Sequence, residues 1–282
     1  MIPRTYLFVP GNRPARFAKA LASGADAVVL DLEDAVADDS KGAARDAIAD
    51  WAAPAAAADR HRVVVRINHA ASNHFADDLR LLRALGLPNV MLAKAEHPEQ
   101  LRALCAGLPG AQVLALVESA RGVALADAVA QAQGVTRLVF GTLDLALDLD
   151  LDIAEHSDGL SYAASRLAIA SRLAGLAAPV AGVTPQLDDE ARLLADLGWS
   201  RRHGCGAKLC IHPSQVAPVH RALAPSPQAL DWARRVLAAD EASPGAARLD
   251  GRMIDRPVVL QAQRTLQRSD TETPGMRRPE GG

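Results

Sequence analysis

Aromatic residues supply only 3 % of the 282 residues. That favours tightly packed helix–sheet layers of Ala, Leu and Val over surfaces built for stacking rings. Cysteine is equally sparse: Cys105, Cys205 and Cys210 are an odd set, which argues against a disulfide-stapled secreted domain and for a reducing cytoplasm. No stretch approaches the roughly 18 consecutive apolar residues needed to span a bilayer. The first apolar run, in MIPRTYLFVPGNRP, is about five residues long and bounded by proline, too short for a signal-peptide core. The formal net charge of −2 gives no reason to expect nucleic acid or an anionic membrane as partner. A G-x-G-x-x-G turn is missing as well; the first βα turn reads Pro10-Gly-Asn-Arg-Pro-Ala, which weakens a dinucleotide-binding reading.

What remains is an ordinary globular composition, 49 % apolar and 23 % charged, arranged in a repeating pattern. Short runs rich in Val and Leu fall at Thr5–Pro10, Asp26–Asp34, Arg62–Asn68, Asn89–Ala95, Gln112–Ser119, Arg137–Asp144, Pro179–Thr184 and Gly206–Pro213. Such continuous runs read as strands buried on both faces. Ala- and Leu-rich segments at helical spacing separate them, with helix starts expected at Asn73, His97-Pro98 and Ser214. Eight alternations predict an α/β fold, a (β/α)₈ TIM barrel over 1–225, with an open doubly wound sheet as the alternative. Residues 226–268 are surplus to eight units and read as a helical lid or oligomer-interface extension. Residues 269–282 are polar, with glycine and proline, and are expected to be a disordered tail.

In such a barrel, chemistry sits at the C-terminal ends of the strands. The ends expected from the runs are Pro10-Gly11, Asp34, Arg66, Lys94, Glu118, Asp144, Thr184 and His212. Glu118 and Asp144 lie 26 residues apart, about one β/α unit, so they are expected side by side on neighbouring strands. Two hard oxygen ligands suit Mg²⁺, or Mn²⁺, completed by water and substrate oxygens. Alternation places Glu118 on a face with Leu114 and Leu116, Asp144 with Phe140 and Thr142, and Asp34 with Leu30 and Leu32, whereas Glu33 should point outward. Arg66 offers a planar fork for a substrate carboxylate, and Arg13 could do the same. Arg13, Arg16, Lys19, Lys41 and Arg45 form a basic cluster that could hold phosphates; the bland alternative for Lys41 and Arg45 is a solvated helix face. Apart from catalysis, the charged ends could be an ion-pair network, Arg66 with Asp34 and Lys94 with Glu118. His203, Cys205, Cys210 and His212 match no common zinc spacing, and Asp148, Asp150 and Asp152 lack the glycine and glutamate of a calcium loop. Lys94 or Lys208 could serve a Schiff-base aldolase, though two metal-type carboxylates argue against needing one.

Several segments, in order, carry a family resemblance: Arg4-Thr-Tyr-Leu-Phe-Val-Pro-Gly-Asn-Arg-Pro-Ala-Arg-Phe, Asp26-Ala-Val-Val-Leu-Asp-Leu-Glu-Asp, Val65-Arg-Ile-Asn, Val117-Glu-Ser-Ala-Arg-Gly and Lys208-Leu-Cys-Ile-His-Pro. Together they resemble the citrate lyase β-subunit-like (CitE-like) CoA-ester lyases of the HpcH/HpaI aldolase group, from about Arg4 to Gln267. The resemblance implies a (β/α)₈ barrel that binds Mg²⁺ and acts on 3-hydroxy-3-carboxylate acyl-CoA thioesters, CoA being part of the substrate. It implies assembly, usually as a homotrimer. By position it makes Glu118 and Asp144 the metal ligands, Arg66 the keto-acid clamp, and Asp34 an acid near the metal. Arg16 and Lys19 would hold CoA phosphates, and Asp255 would be lent to a neighbouring subunit's site. Two departures stand out: Thr142-Leu143 where many relatives carry Glu or Ala-Glu, and Thr184-Pro-Gln-Leu-Asp-Asp where many carry aromatic residues. They imply a side branch with a different acid substrate. The expected reaction is a retro-aldol or retro-Claisen cleavage giving an acyl-CoA and a 2-keto acid. A malate-synthase-like condensation with thioester hydrolysis and a non-autonomous subunit of a lyase complex are the alternatives.

Overall fold

The computed structural model describes residues 2–53, 57–154, 157–243 and 248–270. Eight strands, β1 (Thr5–Pro10), β2 (Ala27–Asp31), β3 (Val63–Ile67), β4 (Asn89–Leu92), β5 (Gln112–Val117), β6 (Val135–Phe140), β7 (Val180–Ala181) and β8 (Ala207–Cys210), close into a barrel in sequence order. Every neighbouring pair is parallel, and β1 closes on β8 through Thr5–Lys208, Tyr6–Leu209 and Leu7–Cys210. The expected barrel is therefore the observed one, and the open sheet is excluded.

Helices on the outside force both faces of each strand to be apolar. The inner face is read from the residues that meet inside the barrel: Tyr6, Ala27, Val29, Val64, Met91, Leu114, Leu116, Val139, Val180, Ala207 and Leu209. They recur at every second position, the strand period. Continuing that parity toward the C-terminal rim gives Phe8, Asp31, Arg66, Ala93, Glu118, Gly141, Gly182 and Ile211. Between a large apolar pair, Phe8 and Ile211, the row thus turns from apolar to charged or small residues one layer below the rim.

Buried polar braces fix this rim. Asp78, wholly buried at the start of helix Phe75–Leu85, accepts from the Asn68 backbone N at 3.1 Å and from Asn68 Nδ2 at 2.7 Å. Arg45 Nη1, from helix Lys41–Ala52, reaches the other Asp78 oxygen at 3.0 Å. The end of β3, and so Arg66, is tied to two helices. Helix Pro98–Gly107 begins where expected, with His97 and Gln100 forming a reciprocal cap. Helix Phe75–Leu85 is capped at His74 rather than Asn73, and the turn after β8 starts at His212, whose side chain accepts from Ser214 N.

Chain contacts divide the molecule into Ile2–His220 and a second unit from Arg221 onward. Within the latter, helices Pro227–Ala242 and Arg256–Asp270 pack through Ala233, Val236, Val259 and Ala262. Between them Arg248–Leu249 pairs antiparallel with Arg252–Met253. The last helix runs past Ser269 to Asp270; the rest of the segment read as a disordered tail, 271–282, lies outside the described residues.

Removing the Asp78 carboxylate strands the buried Asn68 donors and leaves the half-buried Arg45 with only the longer contact to Asp77 at 3.7 Å. Asp78→Ala is expected to lower stability by about 3 kcal/mol, read from the urea midpoint. A change below about 1 kcal/mol would remove the brace from the account of Arg66.

Candidate active site at the C-terminal rim

A cleft of about 320 Å³ opens at the rim. Asp31, Asp34, Arg66, Glu118 and Asp144 line it beside Phe8, Phe140, Leu143, Val183 and Ile211. Arg66 is its hub. Nε and one Nη donate to the two Asp31 oxygens at 2.7 and 2.6 Å, and the other Nη lies 3.0 Å from Glu33. The guanidinium also stacks 4.9 Å above the Phe8 ring. Burial works against its charge, but the hydrogen bonds and charges of Asp31 and Glu33 outweigh that and hold its pKa above the usual arginine value.

Glu118 takes the place that parity gives it, buried inside the barrel one layer above Leu116. Its Oε1 accepts from the Lys94 backbone N at 2.8 Å. Lys94 presents that N–H from a left-handed conformation, φ 50°, which a non-glycine residue adopts at a cost. Burial first, and the nearby Asp144 charge second, push the Glu118 pKa up to about 8, against the pull of the Lys94 N–H. Asp144 approaches from the next unit, half-buried. The backbone between them must be glycine: a Cβ on Gly141 would lie 2.4 Å from Glu118 Cβ and 2.6 Å from its Oε2.

The residues present fit a divalent cation. Among the described residues no lysine or arginine side chain pairs with Glu118 or Asp144, and a buried carboxylate with a second one beside it needs a proton or a cation to offset the charge. No group of three or more His, Cys, Asp or Glu side chains is gathered as a closed cage among the described residues. Two carboxylates with room for water and substrate oxygens are what Mg²⁺ takes.

Some expectations change on the structure. Asp144 does not end a strand. β6 stops at Phe140, and Thr142–Asp148 is a helix with Asp144 in its first turn, so strand alternation does not govern it. β2 stops at Asp31, and Asp31 rather than Asp34 continues the inner face; Asp34 is exposed at the cleft edge and Glu33 is buried, the reverse of the expected directions. With both faces of β2 apolar, alternation alone could not say which was inner. Ion pairs exist, with other partners: Lys94 Nζ is 3.2 Å from Glu33, and that carboxylate holds the Lys94 pKa up against the effect of burial. Lys41, expected with the phosphate-holding cluster or on a solvated helix face, is buried. Its buried ammonium donates to the carbonyls of Leu32 and Glu33 at 2.9 and 3.0 Å, closing the loop after β2.

Arg13, Arg16 and Lys19 are exposed, and Arg16 and Lys19 line a groove with Pro10, Ile211 and His212 that adjoins the cleft through Phe8 and Ile211. Asp255 belongs to the C-terminal unit, where it is exposed and its Oδ1 accepts from Val258 N at 3.1 Å, capping the last helix. Lys208 lies on the outer face of β8, opposite Ala207 and Leu209, with its buried ammonium donating to the Gly182 carbonyl. Cys205 and Cys210 are buried, and burial pushes both thiols up to about 12, far from thiolate ligands. Asp31 was not singled out by the sequence pattern; its pairing with Arg66 across β2 and β3 reveals its work.

Comparison with known proteins accords with this geometry. Residues 4–213 match the family described as HpcH/HpaI aldolase/citrate lyase. A citrate lyase subunit beta-like protein of Mycobacterium tuberculosis is 38 % identical over 278 residues, 95 % of this chain and 96 % of that one. A (3S)-malyl-CoA thioesterase of Cereibacter sphaeroides is 30 % identical over 271 residues, 95 % of this chain and 94 % of that one. The crystal structure of protein CitE from M. tuberculosis in complex with magnesium, acetoacetate and coenzyme A superposes with a TM-score of 0.86 at 36 % identity, covering 95 % of this chain and 98 % of that one.

The raised Glu118 pKa has a defined sign. The folded state keeps the proton up to about 8, while an unfolded glutamate releases it near its ordinary value of 4.5. The stability this group contributes is full below the lower value and is lost as pH rises through the upper one. In chelator, Glu118→Gln should therefore gain in melting temperature over the wild type between pH 5 and pH 9, by several degrees. A constant difference across that range would mean that Glu118 is ionised throughout.

Proposed function

The chain belongs to the HpcH/HpaI aldolase/citrate lyase family, and from that premise we propose that it is a Mg²⁺-dependent carbon–carbon lyase. Its substrate is a 3-hydroxy-3-carboxylate acyl-CoA thioester, cleaved to, or formed from, an acyl-CoA and a 2-oxo acid. The observation that carries the reading is the buried Glu118 beside Asp144, without a basic partner among the described residues and facing a guanidinium across one cleft. Glu118 and Asp144 would hold the cation, which supplies Lewis-acid polarisation of the substrate's hydroxyl and carboxylate oxygens.

The chain's own residues do the rest. Arg66 receives the substrate carboxylate on the N–H groups left free by Asp31 and Glu33, which fix its fork in place. Asp34, exposed at the cleft edge, takes the proton of the 3-hydroxyl. The hydroxyl oxygen becomes the carbonyl of the 2-oxo acid, the carbon–carbon bond breaks, and its electron pair passes to the thioester fragment as an enolate. Asp255 protonates that enolate, or deprotonates acyl-CoA in the reverse sense, from a neighbouring copy in a homotrimer. The CoA phosphates lie on Arg16 and Lys19, with Arg13 beside them, in the groove that adjoins the cleft. Support for these assignments is the magnesium and coenzyme A bound by the M. tuberculosis relative. The thioesterase name of the C. sphaeroides relative favours one second reading, in which thioester hydrolysis follows or replaces cleavage. Among the described residues no helix is long and apolar enough to cross a membrane, and the proposed location is the cytoplasm.

A panel of malyl-, citramalyl-, methylmalyl- and citryl-CoA, assayed with Mg²⁺ and with chelator, tests the chemistry. Cleavage to an acyl-CoA and a 2-oxo acid that stops in chelator is expected; free CoA without the acyl-CoA would establish the hydrolase instead. Arg66→Lys keeps the charge and loses the fork. It should lower kcat/KM by about 30- to 1,000-fold, on the order of 2–4 kcal/mol of transition-state stabilisation. The shared site has its own test. Inactive Glu118→Ala and Asp255→Ala proteins, mixed and allowed to exchange subunits, should regain a fraction of the wild-type rate, whereas no recovery would confine Asp255 to its own subunit or to its capping role.

A further inference from the structure

Resting on the lyase reading above, we propose that the acid product is a 2-oxo monocarboxylate bearing hydrogen or a short alkyl group, and that a dicarboxylic oxo acid is rejected. The charge inventory of the cleft carries this. Asp31, Asp34, Glu118 and Asp144 line it, and among its described lining residues Arg66 is the sole basic side chain. Three of the Arg66 nitrogens already face carboxylates, at 2.7 and 2.6 Å from Asp31 and 3.0 Å from Glu33. The N–H groups that remain can receive a single further carboxylate. A divalent cation held by Glu118 and Asp144 would cancel those two charges, and Lys94 beside the cleft is matched by Glu33 at 3.2 Å, which still leaves Asp31 and Asp34 against Arg66. A second carboxylate on the acid would then enter a negatively charged cleft with no counter-charge of its own, and like charges brought together out of bulk water repel strongly.

The opposite wall fits an uncharged substituent. Leu143 is 44 % exposed and Ile211 37 % exposed, large aliphatics left open beside a carboxylate cluster. Ile211 also lines the basic groove with Arg16 and Lys19, so it borders the side from which the thioester arm arrives. Leu143 and Val183 lie away from that groove and share their other side with Thr142 and Gly182. They form the surface that the hydrogen or alkyl group of the oxo acid covers, and burying that surface is favourable only if the group is apolar.

Calorimetric titration with Mg²⁺ present separates acid binding from turnover. Glyoxylate, pyruvate and 2-oxobutyrate are each compared with freshly prepared oxaloacetate. The monocarboxylates should bind about tenfold tighter or more, and Leu143→Arg should shift the ratio toward oxaloacetate by about tenfold. Oxaloacetate binding as tightly as pyruvate to the wild type overturns the inference, whether or not the variant folds. Cleavage of citryl-CoA at a rate comparable to citramalyl-CoA overturns it too, while leaving the lyase standing. Preferential pyruvate binding by a protein that cleaves no thioester supports the acid preference and removes the lyase.

Discussion

The bidentate pair between Arg66 and Asp31 is the contact on which the rim is built. It joins β2 to β3 at the level where the inner face of the barrel stops being aliphatic. A buried guanidinium is tolerable only with its donors filled, and a buried aspartate only with a cation against it. Each therefore fixes the other, and Glu33 holds the third guanidinium nitrogen while also receiving Lys94. Lys94 in turn gives its backbone N–H to Glu118. A continuous polar chain thus runs from Asp31 to Glu118 across the ends of four strands, β2 to β5. It stops short of neutrality, because Glu118 and Asp144 are left without a basic partner among the described residues. Structural ion-pair networks of the kind expected from the sequence end in paired charges; this one ends in an unpaired couple, and that difference marks a site rather than a brace.

Much of this was legible in the sequence, for identifiable reasons. The barrel followed from eight apolar runs separated by helical segments, since parallel strands covered on both faces cannot help being continuous apolar runs. β1 was bounded correctly at Thr5 and Pro10 because a proline ends its pairing. Glu118 was placed on the inner face because its run is long enough for Leu114 and Leu116 to set the parity. β2 defeated the same reasoning: Leu30 and Leu32 are as apolar and as buried as Val29, so nothing in the pattern distinguished the helix-facing row from the barrel-facing one. Asp34 was consequently expected on the inner face, where Asp31 stands. Asp144 was misassigned to a strand because the helix that contains it follows Gly141 without a polar cap, leaving no local signal that the period had changed.

Lys41 illustrates a different limit. Its sequence neighbours, Asp38, Asp39 and Ser40, are all polar, and its helix shows an ordinary charged face. Nothing local says that the ammonium folds under the loop to meet two carbonyls contributed by Leu32 and Glu33. The path of the loop between β2 and the helix decides the role of this basic residue, and a single sequence cannot show that path. The same holds for the Asp78 brace, which gathers Asn68 and Arg45 from two other elements.

The electrostatics of the rim also choose between the two ways a barrel of this kind can activate a carbonyl. An amine nucleophile must shed its proton before attack, so it needs surroundings poor in negative charge. Lys94 has the opposite: burial would lower its pKa, but Glu33 at 3.2 Å, then Asp34 and Glu118, keep its charge in place. Lys208 does have a lowered pKa, about 8, driven by complete burial. Yet its parity turns it to the helix side of β8, and its nitrogen is bound to the Gly182 carbonyl. The lysine near the acid cluster is held protonated, and the lysine able to lose its proton faces away from the barrel interior. What the rim offers at its centre is carboxylate oxygen in excess of positive charge. That arrangement suits a hard cation and hinders a Schiff base, and it follows from the same crowding of acids that makes Arg66 the sole basic group among the described residues lining the cleft.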